Sequence, residues 1–233
     1  MIQLRSYLRT QSCGQLESDK SLCTFLSGGL DSSIITTYIS NHYEDNNMPM
    51  LNTFSVDYID NDKNFVKNDF QPNSDKYYID IMAKMLNIKH NNIYIDTPEL
   101  ADSLKHAMIA RDLPGMADID SSLLLFCKKV KESGNMVTLS GECADEIFGG
   151  YPWFFREDAL TSGTFPWSIA LKERAELLHP DISKKVNLKE YIEFRYKESL
   201  NEVEILDTDS AETAEKRKIT HLTLNWFMRH FIR

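Results

Sequence analysis

Short apolar runs alternate with helical periodicities through the first part of the chain. Ser21 to Leu26 (SLCTFL) predicts a strand, which the glycine pair that follows brings to an end. From Leu30 the apolar positions Leu30, Ile34, Ile35, Tyr38 and Ile39 fall on one face of a helix. Met50 to Val56 (MLNTFSV) predicts a second strand. Asp75 to Asn87 then sets Tyr78, Ile81, Met82, Met85 and Leu86 at i, i+3, i+4, i+7 and i+8, the apolar face of an amphipathic helix. Asn92 to Asp96 (NIYID) predicts a third strand. It leads into a helix with Thr97 as N-cap, Pro98 at the first helical position and Glu99 placed favourably for the helix dipole. A helix from about Ile119 to Glu132 stops at Gly134, a good C-terminal signal, and Met136 to Leu139 (MVTL) predicts the fourth strand. The polar stretch Asp57 to Asp75 reads as a surface loop.

Strands separated by helices imply crossover connections and therefore a mostly parallel sheet flanked by helices, an α/β class. Ligands of such sheets sit beyond the carboxyl ends of the strands. Past Tyr151 the pattern changes. Trp167 to Leu178, Leu188 to Leu200 and Ala211 to Ile232 are helical and amphipathic, with Asp209 and Glu212 as a capping box opening the last of them. We therefore expect an α/β domain over residues 1–155 and a helical continuation over 156–233. The last helix carries Leu222, Leu224, Trp226, Phe227, Met228, Phe231 and Ile232, after which the chain ends. An apolar helix left without a partner predicts self-association, with a homodimer as the simplest form, and a chain cut inside a larger domain.

Composition narrows the partners. A formal net charge of -9 argues against a nonspecific nucleic-acid binder, which needs a basic face. It leaves a phosphate site open, since such sites are built locally from backbone N–H groups and a few cations. Cys13, Cys23, Cys127 and Cys143 show neither CxxC pairing nor zinc spacing, so reduced thiols are the plain reading. No apolar run approaches the ~20 residues that span a bilayer, and the N-terminus has no signal-peptide core. The expectation is a cytoplasmic protein without membrane partners.

Two segments carry candidate chemistry. Ser27-Gly28-Gly29-Leu30-Asp31-Ser32-Ser33 sits between a strand and a helix. Its glycines let the backbone turn tightly and bring N–H groups close to an anion, which the positive end of the helix also faces. Ser27, Ser32 and Ser33 add hydroxyls. Asp31 would repel a bare phosphate but suits a Mg²⁺ ion shared with one. The segment is neither a Walker loop nor GxGxxG, and it has no lysine to reach a phosphate. An ordinary glycine turn with serine caps is the bland alternative. The second segment is Ser140-Gly141-Glu142-Cys143-Ala144-Asp145-Glu146-Ile147-Phe148-Gly149-Gly150-Tyr151. Its three carboxylates within five residues demand a metal, a raised pKa or solvation. Asp145 could complete a Mg²⁺ site and Glu142 could act as a general base; a plain acidic helix start weighs equally.

SGGLDSS and SGECADEIFGGY, in this order, resemble the synthetase domain of glutamine-dependent asparagine synthetases, within the ATP pyrophosphatase (PP-loop) superfamily. The resemblance covers residues 15 to 160 most clearly. It implies an adenine nucleotide alpha hydrolase-like fold in which the Ser27–Ser33 loop holds the pyrophosphate of ATP. Asp31 and Asp145 match the Mg²⁺ ligands. Leu26, Val56, Ser140 and Gly141 match residues lining the adenosine site, and Glu142 matches an acid of the ammonia step. The implied reaction forms β-aspartyl-AMP from aspartate and ATP, and ammonia then displaces AMP. Two departures stand out. The family usually has glycine where this chain has Cys143. The glutaminase half, which needs a cysteine directly after the initiator methionine, has no counterpart here, since position 2 is Ile2. We expect a fragment that does not make asparagine on its own.

Related readings are set apart by single features. β-Lactam synthetases carry tyrosine at the Glu142 position, and GMP, NAD and tRNA-thiolating relatives share SGGxDS but not GExADExFGGY. A nucleotide-binding fragment without catalysis is the reading from a different class. The segment Asp112 to Ser122 resembles an acidic-Pro-…-Asp-x-Ser stretch bordering the family's active site; a loop with Asp118 or Asp120 as N-cap is the plain alternative. His42, His90, His106, His179, His221 and His230 show no metal spacing, and Tyr151-Pro-Trp153-Phe-Phe155 reads first as packing. Lys216-Arg217-Lys218 reads as a solvated helix face.

Overall fold

A computed structural model describes residues 2–67, 73–112 and 115–230. The chain divides into two compact units, Met1–Glu142 and Cys143–Arg233.

The first unit begins with α1 (Ile2–Gly14), then runs β1 (Leu22–Phe25), α2 (Leu30–Asp45), β2 (Leu51–Tyr58), a single turn α3 (Asn61–Asn64) and α4 (Asp75–Met85). It continues with β3 (Ile88–Ile95), α5 (Thr97–Arg111), α6 (Ala117–Glu132) and β4 (Val137–Leu139). The four strands lie in the order β3-β2-β1-β4, and every pair is parallel. Leu22, Leu26, Ile39, Leu51, Ile79 and Ile88 form one buried aliphatic cluster, which joins one sheet face to α2 and α4. Cys23, Phe54, Ile95, Leu125, Phe126 and Val130 form the other, beneath α6. Both faces of the sheet are covered, as parallel sheets require. The strand order reverses at β1: the chain steps outward to β2 and β3, then returns to the far side of β1 as β4. The crevice beyond the carboxyl ends of β1 and β4 is therefore the switch point where ligands of doubly wound sheets bind.

Several elements differ from expectation. β3 starts four residues early because its whole length pairs with β2, from Leu51↔Ile88 to Tyr58↔Ile95, and strand pairing overrides the polar Lys89-His90-Asn91 run. The cap of α5 is Asp96, whose carboxylate accepts from Thr97 N at 2.8 Å, with Thr97 already helical. On α4 the residues turned to the core are Ile79, Met82, Ala83 and Leu86, so Tyr78, Ile81 and Met85 stay outside, Met85 at 74% exposed. The two stripes share Met82 and Leu86 and differ by a small rotation, which periodicity alone could not resolve.

The second unit holds α7 (Ala144–Phe148), α8 (Glu157–Leu160), α9 (Leu171–Glu176), α10 (Pro180–Ser183), α11 (Leu188–Leu200) and α12 (Ala211–Leu222). α11 spans the residues expected of it. Of the helix expected over Trp167–Leu178 only α9 forms, since Trp167 is drawn into an aromatic cluster instead. α12 is capped by Ser210, which accepts from Thr213 N at 3.2 Å. Asp209 holds Arg217 through two bonds of 2.8 and 3.0 Å, and Glu212 holds Lys216, so neither serves the expected capping box.

After Leu222 the helix widens into a π-type turn over Thr223–Phe227 and a 3₁₀ turn over Met228–His230; positions 231 and 232 lie outside the described residues. Phe227 packs edge-on to Tyr151 and Trp153, and Trp226 packs on Phe165. The apolar side chains from Leu222 to Met228 are thus buried or half-buried within this unit. The exposed apolar face from which self-association was expected is not found among them.

Candidate functional site

Strand β1 delivers the loop. Leu26 is wholly buried and its N–H donates to Phe54 O at 2.8 Å, so its side chain belongs to the core. Gly28 follows with φ +80°, and its α-carbon faces the first turn of α4: a Cβ there would lie 2.8 Å from Asp75 O. Glycine is required by the dihedral and by the close approach together.

The serines do not all serve as expected. Ser32 Oγ donates to Gly29 O at 3.2 Å and accepts from Ser27 N, while the Ser27 and Ser32 hydroxyls lie 3.0 Å apart. Ser27 Oγ also accepts from Gly29 N at 3.4 Å. Once Ser32 donates to Gly29, Ser27 must donate to Ser32, and both hydroxyl protons are spent on holding the loop. That leaves the helix backbone and the Ser33 hydroxyl as candidate donors to an anion. The first intrahelical bond of α2 runs from Ser33 N to Gly29 O, and no side chain caps the turn. The N–H groups of Leu30 and Ser32 therefore lack an intrahelical partner at the helix start, where its dipole also favours negative charge, while that of Asp31 bonds its own carboxylate.

Strand β4 delivers the second segment to the same place. A Cβ on Gly141 would lie 2.8 Å from Ser32 N and 2.9 Å from the Asp31 carbonyl carbon. The main chain of Gly141 is thus seated on the first turn of α2, and Ser140 beside it accepts from Glu142 N at 3.4 Å. Asp31 is half-buried there, and burial pushes its carboxyl above the usual range, partly offset by a backbone hydrogen bond. A carboxylate made uncomfortable by desolvation fits a site completed by a cation. Among the described residues no three His, Cys, Asp or Glu side chains form a ready-made metal cluster. A Mg²⁺ ion at Asp31 would draw its remaining ligands from phosphate and water, as this ion commonly does.

Val56 ends the β2 part of this edge. It lines a cavity of about 120 Å³ with Ser55, Asp57, Asp75, Ile79 and Asn92. Burial and the charge of Asp57 raise the Asp75 carboxyl. Sequence reasoning missed this cavity, because its walls come together only through the β2–β3 register and the packing of α4 on the sheet. His90 bridges the Thr53 hydroxyl at 2.8 Å and the Ser55 hydroxyl at 3.1 Å.

The remaining candidates fall in two places. Asp120 pairs with Arg111 at 2.7 Å in the first unit, and α6 is capped at Met116, so neither Asp118 nor Asp120 is its N-cap. The Leu113–Pro114 part of that segment lies outside the described residues. In the second unit Asp145 stands exposed in the first turn of α7, while Glu146 beside it is 1% exposed and accepts from Tyr151 Oη at 2.8 Å. Cys143 takes φ +69°, the left-handed conformation that glycine would adopt freely.

Comparison with known proteins agrees with these motifs. The family model described as asparagine synthase matches residues 3–232. Asparagine synthetase [glutamine-hydrolyzing] 3 of Bacillus subtilis is 45% identical over 98% of this chain and 37% of its own length. Asparagine synthetase B [glutamine-hydrolyzing] of Escherichia coli is 30% identical over 66% of this chain and 28% of its own length. The chain spans well under half the length of these relatives.

Proposed function

This chain belongs to the asparagine synthase family, and from that premise we propose that it is the ATP-using portion of a glutamine-dependent asparagine synthetase. In this reading a carboxylate oxygen of aspartate attacks the α-phosphorus of ATP. The bond to the bridging oxygen breaks, pyrophosphate leaves and β-aspartyl-AMP remains. Ammonia released from glutamine then attacks the acyl carbon, AMP leaves, and Glu142 takes the proton that the nitrogen sheds.

The residues divide the work. The backbone N–H groups at the start of α2, with Gly28 and Gly29, receive the departing pyrophosphate. Ser140 and Gly141 form the facing wall. Leu26, through its main chain, and Val56 border the nucleoside. Asp31 and Asp145 are the carboxylates proposed to hold Mg²⁺, on sequence resemblance for both and on the desolvated setting of Asp31. Bound there, the ion would neutralise phosphate charge. A cytoplasmic location belongs to the same proposal; among the described residues no helix is long and apolar enough to cross a membrane.

The observation that supports this reading most is the seating of Gly141 against Asp31 and Ser32, at the switch point of a parallel sheet. Calorimetric titration of Mg²⁺-ATP tests it. Wild type is expected to bind and Asp31→Ala to bind at least tenfold more weakly. Equal affinity in the two proteins would contradict the site.

A further inference from the structure

Within the second unit, one buried carboxylate has no part in the chemistry described above. Glu146 is 1% exposed in a helix whose neighbour Asp145 is exposed, and a carboxylate is seldom taken out of water without a reason. Its side chain accepts a hydrogen bond of 2.8 Å from Tyr151 Oη, five residues on.

Helix α7 gives itself little support. It has five residues, left-handed residues at both ends (Cys143 at φ +69° and Gly149 at φ +75°) and no side-chain cap. Its exit is folded back tightly: Gly149 N and Gly150 N both donate to Asp145 O, each at 2.9 Å. Gly150 lies so close to the Asp145 carboxylate that any side chain there would collide with it. The Asp145 carboxylate thus lies against the main chain at Gly150, and its carbonyl holds Gly149 and Gly150.

That path is itself anchored. The Tyr151 ring stacks on Trp153 with centroids 4.2 Å apart and meets Phe227 edge-on at 5.2 Å. Trp153 in turn packs against Trp167 and Phe227. The ring is thus fixed by packing, and its hydroxyl fixes Glu146, one residue from Asp145. Packing and a hydrogen bond that lock a neighbouring residue are one way to hold a site residue in place.

We infer that the Tyr151–Glu146 hydrogen bond is a positioning clamp: it holds α7 on the aromatic cluster so that Asp145 is presented as a ligand for a divalent cation. In this role Glu146 and Tyr151 are positioning residues. The inference rests on the proposed role of Asp145. It assigns a purpose to the DE pair, in which one carboxylate binds and the other is buried to aim it.

The test measures the Mg²⁺ concentration that half-saturates ATP binding by the full 233-residue chain, at fixed ATP. Tyr151→Phe, which keeps the ring and its packing, is expected to raise it by several-fold, up to about tenfold, the low end of what loss of a support behind a metal ligand brings. Glu146→Leu should do the same, and Glu146→Gln, whose carbonyl still accepts from the tyrosine, should stay within about twofold of wild type. Near-ultraviolet circular dichroism checks that the aromatic cluster survives in each variant. A merely structural role would lower stability and leave the Mg²⁺ dependence in place. Asp145→Asn separates the two claims. If it raises the Mg²⁺ requirement while Tyr151→Phe does not, the clamp is wrong and the metal ligand stands. If Asp145→Asn changes nothing, the metal reading falls and the clamp with it. If Glu146→Gln behaves like Glu146→Leu, charge rather than the hydrogen bond matters, which also overturns the clamp.

Discussion

The two units solve the same local problem differently. Each has a loop that must turn through a left-handed residue before a helix bearing a candidate aspartate. In the first unit the position is Gly28, and the loop is locked by serine hydroxyls on top of a parallel sheet. In the second it is Cys143, on a five-residue helix supported by aromatic rings, and no strand occurs among the described residues there. The second unit also leaves Trp153 Nε1, Arg195 Nε, Ser199 Oγ and Thr223 Oγ1 buried without hydrogen-bond partners, against Ser40 Oγ and Ser121 Oγ in the first. Unsatisfied buried groups cost stability. The loop after β1 is therefore braced by the sheet and its own serine hydroxyls, and the acidic segment by aromatic packing.

The largest effect expected from this contrast is in the first unit. Gly28→Ala meets both the left-handed penalty of about 1–2 kcal/mol and a backbone oxygen too close to move. It should destabilise the sheet by about 3 kcal/mol, read as faster hydrogen exchange of the β1 and β2 amides. An unchanged exchange pattern would mean that the loop is looser than its contacts imply.

The opposite sign is expected at the corresponding place in the second unit. Cys143→Gly relieves the left-handed strain and should stabilise that unit by about 0.5–1 kcal/mol, net of the extra chain entropy of glycine. All three tryptophans, Trp153, Trp167 and Trp226, lie in the second unit, so fluorescence-detected unfolding reports on it alone. A lower midpoint for the glycine variant would show that the thiol contributes something the backbone does not explain.

Smallest of the three is a pH effect in the first unit. Burial holds His90 below the ordinary histidine value of 6.5, with smaller opposing contributions from Asn92 and Asp80. The unfolded chain then binds more protons, so the contribution of His90 to stability is complete above pH 6.5 and is lost as pH falls toward the lowered folded value. His90→Gln should flatten the pH dependence of β2–β3 hydrogen exchange across that window. An identical slope in the variant would remove His90 as its source.

Much of the first unit was legible because parallel strands buried on both faces read as apolar runs, and glycines mark where they end. What could not be read was set by tertiary partners. The length of β3 comes from its pairing with β2, since Lys89, His90 and Asn91 carry no strand signal of their own. The face of α4 was chosen by packing between two nearly equivalent stripes. Of the site, the loop and Gly141 were visible as motifs, yet the use of the Ser27 and Ser32 hydroxyls depends on distances no pattern encodes. In the second unit the breakdown of the Trp167–Leu178 helix follows from an aromatic cluster assembled from residues 151 to 227, far apart in sequence.

The central claim is that the segments after β1 and β4 form one nucleotide site. Amide resonances of the ¹⁵N-labelled chain titrated with Mg²⁺-ATP test it most directly. The account predicts that Gly29 to Ser33 and Ser140 to Gly141 shift together along a single binding curve. Shifts confined to one segment, or following two different curves, would contradict it.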